Sequence, residues 1–220
     1  MRTTLNILGC VPGMLNIIME LAEQALEISD FNILNNMDSE IGDKLKPIDH
    51  WNIKFYDTHK NKWPDSRLDK YALSVVGTDS KPKVYEYFAK RLGIEKGQLV
   101  KLIHPSSVIS TSAEIEDGAI IEALTVISAC TIIGFANTIK RNCSIGHHCI
   151  LGDYVTINPG VTVSGNVTIG NNTLIGSGAV IRDFVSIGSN TLIGAGSVVV
   201  KDIPDNSIAF GNPCKVVKEK

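Results

Sequence analysis

From Ile109 to Val199 an aliphatic residue returns at every sixth position, through Ile115, Ile121, Ile127, Ile133, Ile139, Ile145, Leu151, Ile157, Val163, Ile169, Ile175, Ile181, Ile187 and Ile193. Sixteen consecutive positions keep the spacing, and glycine follows at seven of them, as in Ile175-Gly176 and Ile193-Gly194. Four residues after the aliphatic stands a small or β-branched side chain, for example Thr125, Thr131, Val155, Val161, Thr173 and Ala179. An amphipathic helix would space its apolar residues by three and four, and so many glycines oppose helix. A hairpin sheet would alternate strictly between turn signals about eight to twelve residues apart. A fixed period of six predicts a parallel β-helix in which each hexapeptide supplies one short flat strand and one corner. Three hexapeptides make a triangular coil, so residues eighteen apart stack along the axis and the run spans about five coils. The aliphatic points inward, and the glycine after it helps the chain turn the corner. No long loop interrupts the run, so a catalytic group must stand on a corner or come from a neighbouring subunit.

Before the repeat the pattern is different. LNILG (5–9) reads as a buried strand, followed by Cys10-Val11-Pro12-Gly13 and a helix over about residues 14–27, where Ile17, Ile18, Leu21, Ala22 and Ala25 share a face. FNILNN (31–36), WNIKFYD (51–57) and YALSVVG (71–77) are further strands, and VYEYFAKRLG (84–93) is a helix closed by its glycine. This alternation predicts a small, Rossmann-like parallel α/β domain over 1–104, a β-helix domain over 105–202 and a C-terminal tail over 203–220. In such sheets ligands lie beyond the C-terminal ends of the strands, here Gly9 to Gly13, Asn35-Asn36 and Gly77-Thr78-Asp79. GCVPG is not the dinucleotide fingerprint GxGxxG, and a tight strand-to-helix turn calls for glycine on structural grounds alone.

Composition narrows the function. The formal net charge is −2 and 44 % of residues are apolar, so nothing suggests a nucleic-acid surface. The five cysteines are odd in number and include no CxxC pair, which argues against a disulfide framework or a zinc site; Cys143 and Cys149 read as small buried hydrophobes. No stretch reads as a signal peptide or membrane span, so a reducing cytoplasm is the expected location and no membrane partner is expected.

The small α/β domain, the junction LIHPSSVIS (102–110), the sixteen repeats and the ending FGNPCKVVK (210–218) together resemble the NeuD-type, PglD-like sugar acetyltransferases. These belong to the left-handed β-helix (hexapeptide repeat) acyltransferases, and the handedness expected here comes from that resemblance. The match runs over nearly the whole chain; HPSSVIS and the stretch from GHHC to SGNV are its most specific parts. It implies that the α/β domain binds the nucleotide of a nucleotide-linked sugar, that the β-helix forms a homotrimer, and that acetyl-CoA, the cosubstrate, lies between two prisms.

SIGHHCILGDYVTINPG (144–160) lies without a gap over the family's catalytic segment and places its general base on His147. An amine or hydroxyl attacking a thioester must lose a proton, and imidazole titrates near neutral pH. By the stacking rule His147 has Ala129 and Gly165 as axial neighbours, both small, which leaves room for a thioester. Two departures stand out: the acidic residue that follows the base in the family is His148 here, a second candidate for the catalytic set, and the histidine that contacts acetyl-CoA is Thr156. The resemblance puts further acetyl-CoA contacts on Gly165, Ser177 and Ala195, with Lys215 for the phosphate end. It puts sugar-nucleotide contacts on Gly9, Cys10, Gly13, Asn35, Asn36 and Gly77. An asparagine amide carries both a donor and an acceptor and could pair with uracil or thymine, in keeping with a UDP or dTDP sugar.

The expected activity is acetyl-CoA-dependent N-acetylation of a nucleotide-linked 4-amino-4,6-dideoxy sugar for surface polysaccharide or glycan synthesis. O-acetylation of a sugar, sialic acid included, is the alternative. A metal enzyme of the γ-carbonic anhydrase kind needs three histidines, but only His147 and His148 lie beyond residue 105, so no metal is expected. A non-catalytic binding protein is the third reading.

Overall fold

A computed structural model of the chain describes residues 3–36, 48–64 and 70–219. The chain divides into two compact units, Met1–Leu102 and Ile103–Lys220.

The first unit contains β1 (Thr4–Leu8), α1 (Pro12–Leu26), β2 (Asp30–Asn35), β3 (Asn52–Asp57), β4 (Tyr71–Leu73) and α2 (Ser80–Leu92). The four strands form one parallel sheet in the order β3-β2-β1-β4. Leu5, Ile7 and Leu8 of β1 and Phe31, Ile33 and Leu34 of β2 are buried, as the central strands of a covered parallel sheet require. At the edge, β3 leaves Phe55 exposed. Polar side chains within the sheet pair with one another: Asn32 Nδ2 donates to Asn6 Oδ1 at 2.8 Å, and Asn6 Nδ2 to the Lys70 carbonyl at 2.9 Å.

Two elements differ from expectation. The strand read over 71–77 ends at Leu73, because the next hydroxyl turns to the opposite loop: Ser74 Oγ accepts from the Val11 N–H at 3.4 Å. The second helix begins at Ser80 rather than 84, since Pro82 falls in its first turn, where a missing N–H costs nothing.

In the second unit the repeat becomes two-residue strands, from Leu102–Ile103 to Val198–Val199, on three faces. Residues eighteen apart pair in parallel, as in Ser144 with Thr162 and Ile145 with Val163. This is a parallel β-solenoid with the sixfold aliphatic positions in one continuous core. The coil count differs from the five expected: the faces stack five, six and eight strands. The repeat begins earlier than Ile109, with Leu102–Ile103, and ends later. Ser207–Gly211 adds a parallel rung beside Leu192–Ile193, and Cys214–Glu219 closes it as an antiparallel hairpin. Of the segment set off as a tail, 203–220, the described residues to Glu219 therefore cap the solenoid.

Two positional roles also differ. The glycine after the aliphatic is not the residue that turns the corner; it allows coils to approach. A Cβ on Gly146 would stand 2.5 Å from the Ser164 carbonyl carbon of the next coil. The left-handed turn falls later in the corner, at Asn142, His148, Asn166 and Asn172, with φ between 55° and 61°. Cys143 and Cys149 are buried and also act as donors: their thiols point to the carbonyls of Asn158 and Ser164 at 3.1 Å, as the Thr131 hydroxyl does to Gly146 at 2.7 Å.

Candidate active site

His147 and His148 occupy the corner between Ser144–Ile145 and Ile150–Leu151, and both are exposed. The corner is held from both sides. The His148 N–H donates to the Ala129 carbonyl at 2.9 Å, and the His147 carbonyl accepts from Asn166 N–H at 2.9 Å. With φ of 55°, His148 reverses the chain so that its ring meets that of its own neighbour. The two Nδ1 atoms are 3.1 Å apart and the rings are perpendicular, at 85°.

Gly165 lies one coil below. A Cβ built there would stand 2.7 Å from both Cε1 and Nε2 of His147. The space opened by this glycine is therefore taken up by the imidazole itself, where the sequence led us to expect room for a thioester. Only glycine lets the ring lie there.

The cofactor residues expected from the resemblance fall on different parts of the prism. His147 and Gly165 follow strands of the six-strand face, whereas Ser177 and Ala195 follow strands of the eight-strand face. Ser177 and Ala195 are exposed and stacked on one edge, with the Gly196 N–H donating to the Ser177 carbonyl at 2.8 Å. Thr156 is 1 % exposed, in the body of a strand. Lys215 is exposed on the closing hairpin.

In the α/β unit, Gly9, Cys10, Gly13, Asn35, Asn36 and Gly77 all lie at the C-terminal edge of the sheet, where the strand order reverses between β1 and β4. Gly9 has φ of 87°, a conformation for which glycine is suited. Cys10 is buried, which pushes its thiol up to about 11. Gly13 is exposed in the first turn of α1. The Asn35 carbonyl accepts from Thr58 Oγ1 at 2.7 Å, and among the described residues Asn36 Oδ1 is buried without a hydrogen-bond partner. The Gly77 carbonyl accepts from Ser80 and Lys81 N–H at 3.0 Å.

Sequence reasoning passed over Ser74 and Lys81 at this edge and Cys130 and Phe184 on the histidine edge. Lys81 is 1 % exposed, although SKPK reads as solvated surface. The exposed Cys130 and Phe184 were within reach of the stacking rule, since 130, 148, 166 and 184 form one column. Among the described residues no group of three or more His, Cys, Asp or Glu side chains could hold a metal ion. No helix there is long and apolar enough to cross a membrane.

Residues 130–165 and 166–201 match the family described as bacterial transferase hexapeptide (six repeats). No curated protein matches the sequence. Among solved structures, the acetyltransferase domain of PglB from Neisseria gonorrhoeae, in complex with acetyl coenzyme A, is 26 % identical; the alignment covers 99 % of this chain and 100 % of that one, with a TM-score of 0.81. A mutant of perosamine N-acetyltransferase from Caulobacter crescentus, in complex with CoA and GDP-perosamine, is 24 % identical over 100 % of this chain and 98 % of that one, with a TM-score of 0.79. WeeI from Acinetobacter baumannii shares the fold at 22 % identity over 99 % and 100 % of the two chains, with a TM-score of 0.80. Residues 130–201 thus carry the hexapeptide repeat of bacterial transferases, and the whole chain shares its fold with an acetyltransferase domain.

Proposed function

We propose that this protein transfers the acetyl group of acetyl-CoA to the amino group of a nucleotide-linked 4-amino-4,6-dideoxy sugar carrying dTDP or UDP, with His147 as general base. The observation that carries this reading is the exposed His147 imidazole, lying on Gly165 with Nδ1 engaged by His148. That arrangement keeps Nε2 for the nucleophile. The amine lone pair attacks the thioester carbonyl carbon, and the C=O electron pair moves onto oxygen. The nitrogen's proton passes to His147 Nε2, the adduct collapses with C–S cleavage, and the departing CoA thiolate takes the proton back. Amide and free thiol are the products.

A histidine in place of a carboxylate beside His147 supports an amine over a hydroxyl. Nitrogen in the tetrahedral adduct is cationic and gives its proton readily, whereas a hydroxyl gains more from a base strengthened by a carboxylate. The separation of Ser177 and Ala195 from His147 supports a homotrimer, in which the edge of one prism meets another edge of the next copy and acetyl-CoA lies between them. Lys215 is proposed at its phosphate end; the burial of Thr156 leaves that residue the weakest of the set. In the α/β unit, Gly9, Cys10, Gly13, Asn35, Asn36 and Gly77 are proposed to hold the nucleotide, the Asn36 amide pairing with the base. The use of acetyl-CoA and a nucleotide-linked sugar supports a cytoplasmic location.

The test is thiol release from acetyl-CoA with dTDP-, UDP- and GDP-linked 4-amino sugars, the last because a relative of the same fold was solved with a GDP sugar. Turnover with a dTDP or UDP amino sugar, lost in His147→Ala, is expected. Release only with a GDP amino sugar would overturn the dTDP or UDP assignment, and release only with sialic acid would favour O-acetylation. Silence with every sugar would refute the reading.

A further inference from the structure

The Nδ1 to Nδ1 contact of 3.1 Å between His147 and His148 can hold one proton. Where that proton resides decides whether His147 can act as a base. If His148 Nδ1–H donates, His147 must accept at Nδ1 and carry its own hydrogen on Nε2, which then has no lone pair to offer. If His147 Nδ1–H donates, Nε2 keeps its lone pair and His148 carries its hydrogen on Nε2.

We infer that His148 is a positioning residue: a neutral imidazole whose Nδ1 accepts from His147 Nδ1–H and so holds His147 in the tautomer that presents Nε2 as the base. This deepens the function proposed above and rests on it. The backbone shows how a residue next in sequence can do this. His148 sits at φ of 55°, pinned by its N–H to the Ala129 carbonyl, and this left-handed turn brings its ring perpendicular to that of His147. Gly165 fixes the other side of the His147 ring, because any side chain there would collide with Cε1 and Nε2. The ring is thus held at Nδ1 by a hydrogen bond and at its far edge by packing.

When His147 takes the nucleophile's proton it still donates from Nδ1, so the bond survives the reaction and strengthens as its donor becomes charged. A second proton on the resting pair acts in the opposite way. Both Nδ1 atoms would then carry hydrogen, and the contact would turn repulsive. The active form therefore needs both imidazoles neutral. In the coils flanking the pair, the stacked corners are Ser128-Ala129-Cys130 and Ser164-Gly165-Asn166, with Arg182 and Asp183 one coil further. Cys130 is the titratable side chain in those flanking corners.

The experiment compares His148→Gly, His148→Asn and His148→Asp, with melting curves on each. Glycine and asparagine both tolerate the left-handed turn, so the fold is kept. Asn and Asp place an acceptor oxygen the same number of bonds from the backbone as Nδ1. In H148G kcat is expected to fall at least ~10-fold, a share of the roughly 10²- to 10⁴-fold that a positioned base contributes, with the KM for acetyl-CoA little changed. H148N and H148D should recover most of the loss. Substrate-free ¹⁵N NMR should show His147 protonated on Nδ1, with mixed tautomers in H148G.

Full activity in H148G, no recovery in H148N, or a His147 protonated on Nε2 in the resting enzyme would each overturn the inference. The NMR signature is independent of turnover, so it separates this inference from the general-base reading, which fails if H147A remains active.

Discussion

The two units bury their cores by opposite rules. In the solenoid an inward side chain arrives every six residues and packs on its counterpart eighteen residues away, so each coil depends on its immediate neighbours. In the α/β unit the core gathers Phe31 of β2, Leu15 and Met19 of α1 and Phe88 of α2, three elements with no spacing common to them. The first design tolerates variation at corners while forbidding it between coils. The second concentrates its stability in a few large side chains. Chemistry follows the same division: the paired imidazoles stand on a corner of the repeat, and the proposed nucleotide site lies at the strand ends of the irregular unit.

The largest expected effect separates the two cores. Phe31→Ala should remove about 3–5 kcal/mol from the α/β unit. In calorimetry a transition assigned to that unit should move down while the solenoid transition stays; a common shift of both would show that the units unfold together. Within the solenoid, two glycines should separate packing from chemistry. A Cβ on Gly146 meets backbone at 2.5 Å, so Gly146→Ala should cost about 1–3 kcal/mol of stability, read by denaturant melting. A Cβ on Gly165 has the His147 ring as its nearest neighbour, so Gly165→Ala should lower kcat by roughly tenfold, near 1.4 kcal/mol of barrier, with little change in melting. Equal losses of stability in the two would dissolve the distinction.

A smaller effect is expected in the irregular unit. Asn36→Ala, which removes a half-buried side chain whose Oδ1 has no partner among the described residues, should raise the KM for the nucleotide sugar several-fold, about 1 kcal/mol, while kcat holds. The smallest effects concern thiols. Cys130 is exposed and should be the one cysteine of the native protein that reacts rapidly with a disulfide reagent at pH 8. Burial raises Cys10, Cys143, Cys149 and Cys214 above the ordinary 9.0, Cys10 to about 11. A raised folded value means that the folded state keeps a proton which the unfolded chain releases. The Cys10 contribution is therefore whole below pH 9 and lost as the pH rises toward 11, so the midpoint of the α/β transition should fall across that window.

The solenoid was readable almost residue by residue, because its rule is local and repeated. Ile145 and Leu151 are buried, and His147 stacks on Gly165, as the eighteen-residue period requires. Its ends were less plain: Ile103 keeps the six-residue step to Ile109, so Leu102–Ile103 was within reach of the period, whereas Ser207–Gly211 joins the stack by strand pairing after the step breaks at Asp205. In the α/β unit the strand ends were legible as candidate positions, but Lys81 was not. Its burial depends on what packs over the first turn of α2, and no spacing in SKPK records that.

The amino-acid sequence by itself determined the solenoid, its inward residues, the corner that carries His147 and His148, and the parallel α/β unit ahead of it. These follow from periodicity, which is a property of near neighbours along the chain. Tertiary structure decided that the glycines serve close approach between coils, that Gly165 receives the His147 ring, and that Ser177 and Ala195 stand on another edge from the histidines. It also decided that two consecutive histidines face each other through Nδ1. Spacing cannot contain that contact, because it depends on the left-handed turn at His148 and on the ring beside it having only a glycine to rest on.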